Sequence, residues 1–311
     1  MKNLYKLTPS LHANIWGGRR LFDYGKSGDL DRIGESWELS FVPGYEALTE
    51  GGEPITLAFG RDSWGTGCDG FDAFPVLTKF IDAREKLSVQ VHPSDEYALA
   101  NEGQYGKSEM WYVVDADEGA GLYMGLNREC TKNEFEARVA DGTVEELLSF
   151  KEVKAGDVFF IPAGTIHAIG AGVLIFEIQQ NSTLTYRLYD YMRRDAKGNL
   201  RELHVDKAMK VSDLKVYDYK CDVNNPNTIG KCKYFVTNRY VLSDEAQELT
   251  VTKESYMALS CVKGEGVISY SDGDILHERK ISLGDTFFAP AGFGDLKVYG
   301  NMTLITVETK K

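Results

Sequence analysis

The stretch GDVFFIPAGTIHAIG, residues 156–170, has a near copy at residues 284–298, GDTFFAPAGFGDLKV. Seven of the first nine positions are identical, and then the copies part: His167 in the first stands where Asp295 does in the second. Gly-Asp sets a turn, the aromatic pair makes a buried strand, and Pro-Ala-Gly ends that strand at a rim. Strands this short, closed by Gly-rich turns, suit a double-sheet jelly roll. Two copies this far apart point to two modules of one β architecture, not to a short-period solenoid.

The rest of the chain agrees. EKLSVQVHP, EMWYVVDAD, GVLIFEIQQ and STLTYRLYDY are β-like by residue type, as are ESYMALSCV, GVISYSDG and NMTLITVET in the last third. Helical signals are fewer. Two capping-box patterns, Thr131 with Glu134 and Thr143 with Glu146, mark a helical stretch near 128–150. SDEYALANEG after His92 and HVDKAMKVSD at 204–213 read as short helices. A polar stretch with DVNNPNTIGK places a domain boundary near 220. The expected fold is mainly β: two jelly-roll β-barrel domains, 1–220 and 221–311, with a few short helices.

Composition bounds the function. The 311 residues are 43% hydrophobic and 26% charged, ordinary for a globular protein. A net charge of −12 without a basic run excludes a nucleic-acid footprint. An anionic substrate needs a local cluster of cations against this field. The cysteines at 68, 130, 221, 232 and 261 are odd in number and lack CxxC spacing, so reduced thiols are expected. No apolar run reaches the length of a membrane span, and the N-terminus carries no secretory pattern. A cytoplasmic location is expected, with the chain a monomer or a weak homo-oligomer.

His167 stands in PAGTIHA, which resembles the PxGxxH of cupins, where it carries a late metal ligand. Earlier ligands then come from two successive strands. SVQVHPSDE supplies Gln90 and His92, which share a strand face, while Val89 and Val91 take the other. KSEMWYVVDA supplies Glu109. Two imidazoles, a carboxylate and an amide, with no thiolate, suit a divalent metal that keeps an open position; zinc is preferred. His12, His204 and His277 lack such company and are read as structural or surface residues. In the second module Met257 falls roughly where Glu109 stands in the first, so that module reads as scaffold.

IWGGRRL, GESWELS, FPVLTKFIDAREKLSVQVHPSDEYA, GKSEMWYVVDA and IPAGTIHAIGAGVLIFEIQQNSTLTYRLYD, in that order, resemble the type I mannose-6-phosphate isomerases in their short bacterial form. The resemblance covers nearly the whole chain and is less specific in the C-terminal module. It implies an enzyme with one zinc ion per chain that interconverts mannose 6-phosphate and fructose 6-phosphate. By motif position it assigns Gln90, His92, Glu109 and His167 to the metal and Arg187 to the active site. It assigns Lys79 and Ser88 to the substrate phosphate and Lys107 to proton transfer; Lys86, a spare cation nearby, is read as a solvated surface charge. Long forms of the family carry Ser-Asp-Asn between the Glu and the Arg, where this chain reads Ser182-Thr183-Leu184, so a role for that acid does not carry over.

The chemistry fits the residues. Aldose–ketose isomerisation passes a proton between C1 and C2 through an enediol, and a cation beside the developing oxyanion lowers the barrier. Arg187 alternates on its strand with Leu184, Tyr186 and Leu188, which places it on the polar face. Glu177 interrupts an apolar strand as a base or as an orienting group. Trp16, Trp37 and Trp111 read as buried aromatics beside the pocket. The rivals are a non-catalytic, metal-bound sugar-binding or regulatory cupin and an iron oxygenase on the same fold. Substrate turnover and metal content separate them.

Overall fold

The computed structural model describes residues 2–194, 197–219 and 225–310. These residues form twenty strands and five short α-helices, arranged in sheets of nine, six and five strands. The chain is mainly β, as its turn-rich sequence predicts. The sheets stack face to face as jelly rolls, and their hydrogen-bond ladders stay open where closed barrels were expected.

The six-stranded sheet runs, in spatial order, Val158–Ile161, Glu109–Ala116, Val173–Gln180, Val76–Ala83, Glu35–Leu39 and Ser10–His12. The five-stranded sheet runs Tyr186–Tyr189, Val89–Val91, His167–Ile169, Gly121–Leu126 and Leu148–Glu152. Two-residue alternation sorts their faces. Outward, Val89, Val91, Ala168, Tyr186 and Leu188 pack against Phe135 and Ala208 of two covering helices. Inward, Trp16, Ile81, Trp111, Met124, Ile169 and Ile175 from both sheets make an apolar floor. Each such side chain contributes about 1.5–3 kcal/mol on burial. The polar side chains of the site stand in the same interior.

The far face of the six-stranded sheet joins the second jelly roll. Phe80, Met110, Tyr112 and Phe176 meet Val262, Phe288 and Ile305 in one cluster. The nine-stranded sheet bends around its own core through two long strands, Met257–Asp272 and Gly294–Glu308. The N-terminal strands Tyr5–Thr8 and Leu48–Thr49 also belong to this sheet; Tyr5 stands opposite Phe288. The expected boundary near 220 lies outside the described residues, as does Cys221; the other four cysteines are free thiols.

The helices follow their caps. Ser94 accepts from the Tyr97 N–H at the head of Asp95–Asn101, and Thr131 accepts from the Glu134 N–H at the head of Lys132–Ala140. Val205–Val211 is the third expected helix. The second capping box does not form. Thr143 turns its hydroxyl to Asp141, and a strand begins at Leu148, which leaves room only for the 3-10 turn Val144–Leu147. Among the described residues, no helix is long and apolar enough to cross a membrane.

The repeat keeps its backbone for a geometric reason. Its turn glycines, Gly156 and Gly164 in one copy and Gly284 and Gly292 in the other, all have positive φ. Glu109 pairs with Ile161, and Met257 pairs with the equivalent Ala289, so Met257 does occupy the place of Glu109. Beyond Pro-Ala-Gly the copies slip by one residue. His167 pairs with Gln90, and both look inward. Asp295 pairs with Thr250, and both lie exposed on the outside, while buried Leu249 and Leu296 fill the interior. One residue of slip exchanges the two faces of a strand.

Candidate active site

Cross-strand register builds the site. On the five-stranded sheet, Gln90 stands between His167 on one neighbouring strand and Arg187 on the other. On the facing sheet, Glu177 stands between Lys79 and Trp111. Glu109 begins its strand two residues before Trp111. Jelly-roll stacking thus brings strands far apart in sequence to one point.

His92, Glu109 and His167 are fully buried, and their ligand atoms lie within 4.8 Å of one another. His92 Nε2 is 3.4 Å from Glu109 Oε2, and His167 Nε2 is 3.3 Å from Glu109 Oε1. Each imidazole is oriented by its other nitrogen. Nδ1–H of His92 donates to the Leu184 carbonyl and that of His167 to the Thr165 carbonyl, both at 2.8 Å. Both Nε2 atoms therefore present lone pairs to the centre. Burial holds both rings below the ordinary histidine pKa, that of His92 far below, with the Lys107 charge adding to it. His92 Nε2 and Glu109 Oε1 are buried without a hydrogen-bond partner. Buried polar atoms are rarely left so. The Gln90 amide lies 3.3 Å from His167 Nε2. This donor set fits a divalent cation, and zinc suits two imidazoles and a carboxylate.

A file of alternating charges leads away from this centre. Lys107 Nζ lies 2.8 Å from Glu109 Oε2 and 3.6 Å from Glu177 Oε1. Lys79 Nζ lies 3.5 Å from Glu177 Oε2 and 3.2 Å from Glu35 Oε2. Two indoles hold the carboxylates: Trp111 donates to Glu177 at 3.0 Å and Trp37 to Glu35 at 2.7 Å. Burial raises the Glu109 carboxyl, but Lys107 and His167 outweigh it and leave it below its usual value. Burial lowers Lys107, but Glu109 and Glu177 outweigh it and leave it above its usual value. Without metal, Lys107 is thus an ammonium, the opposite of what a base requires.

Arg187 faces the site as its alternation predicts. Its Nε donates to Ser88 Oγ at 3.3 Å, its Nη1 to the Glu202 carbonyl at 2.8 Å, and its backbone N–H to His204 Nδ1 at 3.2 Å. His204 is therefore structural, through Arg187. Burial and the charges of Arg201 and Arg193 lower the guanidinium's pKa. Arg193 and Arg201, absent from the sequence reading, both reach Asp190, and Arg193 also donates to the Lys86 carbonyl. Lys79 and Ser88, the two assigned phosphate contacts, belong to different sheets: Ser88 adjoins Arg187 and Gln90, whereas Lys79 sits between two carboxylates. Lys86 pairs with Glu145.

Glu35 was also missed. It lies in GESWELS, where only its ion pair with Lys79 reveals a role. Beside it His12 packs on Trp37 at 4.5 Å. Trp16 and Trp111 are core aromatics.

Residues 225–309 match the family model "Mannose-6-phosphate isomerase, cupin domain". The chain is 38% identical to the mannose-6-phosphate isomerase ManA of Bacillus subtilis over 307 residues, 94% of each protein. The crystal structure of the mannose 6-phosphate isomerase from Bacillus subtilis superposes with a TM-score of 0.89 at 33% identity, covering 98% of this chain and 99% of that one. A putative mannosephosphate isomerase from Archaeoglobus fulgidus shares the fold, with a TM-score of 0.80 at 21% identity, over 100% of this chain and 99% of that one. Likeness of this extent, along the same chain whose strands converge on a His–Glu–His centre, identifies it: the chain belongs to the mannose-6-phosphate isomerase family.

Proposed function

We propose that the protein interconverts mannose 6-phosphate and fructose 6-phosphate through an enediol, with one zinc ion per chain held by His92, Glu109, His167 and Gln90. The observation that carries this reading is the convergence of two imidazole lone pairs and a carboxylate in a buried pocket. The bound ion supplies fixed positive charge, which favours oxygen atoms on C1 and C2 more as they become anionic. The relatives' printed names support the substrate.

The remaining roles belong to the chain's own side chains. Arg187, aimed into the pocket beside Ser88, adds a charge that does not titrate near neutrality. Ser88 offers a hydroxyl, the Arg187–Arg193–Arg201 cluster offers the cations that an acidic protein needs to hold a phosphate, and Lys79 adds charge from the facing sheet. Holding the phosphate fixes C1 and C2 against the proton carriers. Those carriers are Lys107 and Glu177, 3.6 Å apart: one gives a proton to the sugar oxygen while the other takes the proton from carbon. With this goes a division of labour, residues 1–220 for chemistry and 221–311 for support. The family-model match over 225–309 supports the second unit. The soluble substrate and an acidic chain suit a cytoplasmic enzyme, monomeric or weakly associated.

The test is turnover of mannose 6-phosphate together with metal analysis. Zinc near one equivalent, with activity lost on chelation and restored by zinc, is expected. Full turnover by a metal-stripped protein would reject the proposal.

A further inference from the structure

The mouth of the second jelly roll, the pseudo-equivalent of the catalytic mouth, also opens into a cleft. Cross-strand register shows the correspondence. The row Lys79–Glu177–Trp111 of the first module becomes Asn238–Thr306–Leu259 in the second. Leu77 opposite Gln179 becomes Val236 opposite Glu308, and Glu109 becomes Met257. Every ionic group of the catalytic row is thus replaced by a neutral one. The cleft remains, at about 540 Å³, within the usual range of small-molecule pockets of about 300–1,000 Å³.

Its lining is that of a hydroxyl-binding pocket. Thr228 donates to Asn238 Oδ1 at 2.7 Å, which leaves the Asn238 amide N–H groups as donors. Glu308, 5% exposed, gives one oxygen to Lys310 at 2.6 Å and keeps the other as an acceptor. Half-buried Tyr240 supplies an aromatic wall, and Met257 lies at the base. Three carboxylates, Glu248, Glu254 and Glu308, stand against two ammoniums, Lys231 and Lys310, so an anion is disfavoured.

We propose that this cleft is a second, non-catalytic site for an uncharged hexose. Its hydroxyls donate to Glu308 and accept from Asn238, and its C–H face lies on Tyr240. This reading stands independently of the zinc chemistry.

The test titrates D-mannose into the metal-loaded protein by calorimetry, with a retained circular dichroism spectrum as the check on folding of each variant. Binding is expected to persist in His167→Ala, which alters only the first pocket. In Asn238→Ala and in Glu308→Gln it is expected to weaken about tenfold, the size of one lost hydrogen-bonding group. Mannose 6-phosphate, which the arginine cluster of the first pocket still holds in His167→Ala, is expected to leave mannose binding to that protein unchanged. Binding lost in His167→Ala, unchanged in both cleft variants, or absent at tens of millimolar mannose overturns the proposal. Displacement of mannose by mannose 6-phosphate in His167→Ala overturns the assignment to a neutral ligand.

Discussion

The two jelly rolls share their turns and differ in what those turns present. Both copies of the Gly-Asp and Pro-Ala-Gly corners keep positive-φ glycines. Beyond them one module turns His167 and Gln90 inward, and the other turns Leu296 and Leu249 inward. The corners are therefore a requirement of the fold, and the interior is free to differ. A buried carboxylate is tolerated only with partners: Glu109 has Lys107 and two imidazoles, whereas Met257, at the same place, has apolar neighbours.

That contrast can be attacked directly. The largest effect is expected from His167→Ala or Glu109→Gln. Either removes a ligand and with it several kcal/mol of charge stabilisation, so kcat should fall roughly 10³-fold or more, with the circular dichroism spectrum retained. Met257→Ala is expected to leave turnover near normal and to cost about 2–5 kcal/mol of stability in denaturant titration. Met257→Glu should destabilise by about 3–5 kcal/mol through an unpaired buried charge. Tolerance of that carboxylate would show that the base of the cleft at Met257 admits a charge.

Arg187→Lys keeps the charge but loses the fork that reaches Ser88 and the Glu202 carbonyl. A drop of about tenfold to a hundredfold in kcat/KM is expected, near 1.4–2.8 kcal/mol. The smallest effect concerns pH. Burial raises Glu308 from its ordinary 4.5, despite Lys310. Between that value and the raised one, the native chain binds more protons than the unfolded chain. Native stability is therefore lost as pH rises through this interval. Glu308→Gln should remove that slope from the unfolding free energy measured across pH.

How much of this was legible beforehand follows from the range of each signal. The convergence of His92, Glu109 and His167, with Gln90 beside them, could be read because the residues sit in local patterns: Gln90 and His92 two apart on a strand, His167 in Pro-Ala-Gly-x-x-His. Arg187 could be read from alternation. Glu35, Arg193 and Arg201 could not, because their significance lies in partners on other strands or loops and no local spacing encodes it. The slip that hides Asp295 was also out of reach, since alignment scores identity and not the face a residue occupies. The second capping box failed because Leu148 was already committed to a strand.

The pairing of Tyr5 with Phe288 has a consequence for how the chain folds. Tyr5–Thr8 has one neighbour close in sequence, Leu48–Thr49, and another, Thr286–Ala289, far along the chain. A closure across so long a loop is slow, and it leaves an edge exposed while it waits. Docking of Tyr5–Thr8 onto Thr286–Ala289 is then a late step in folding.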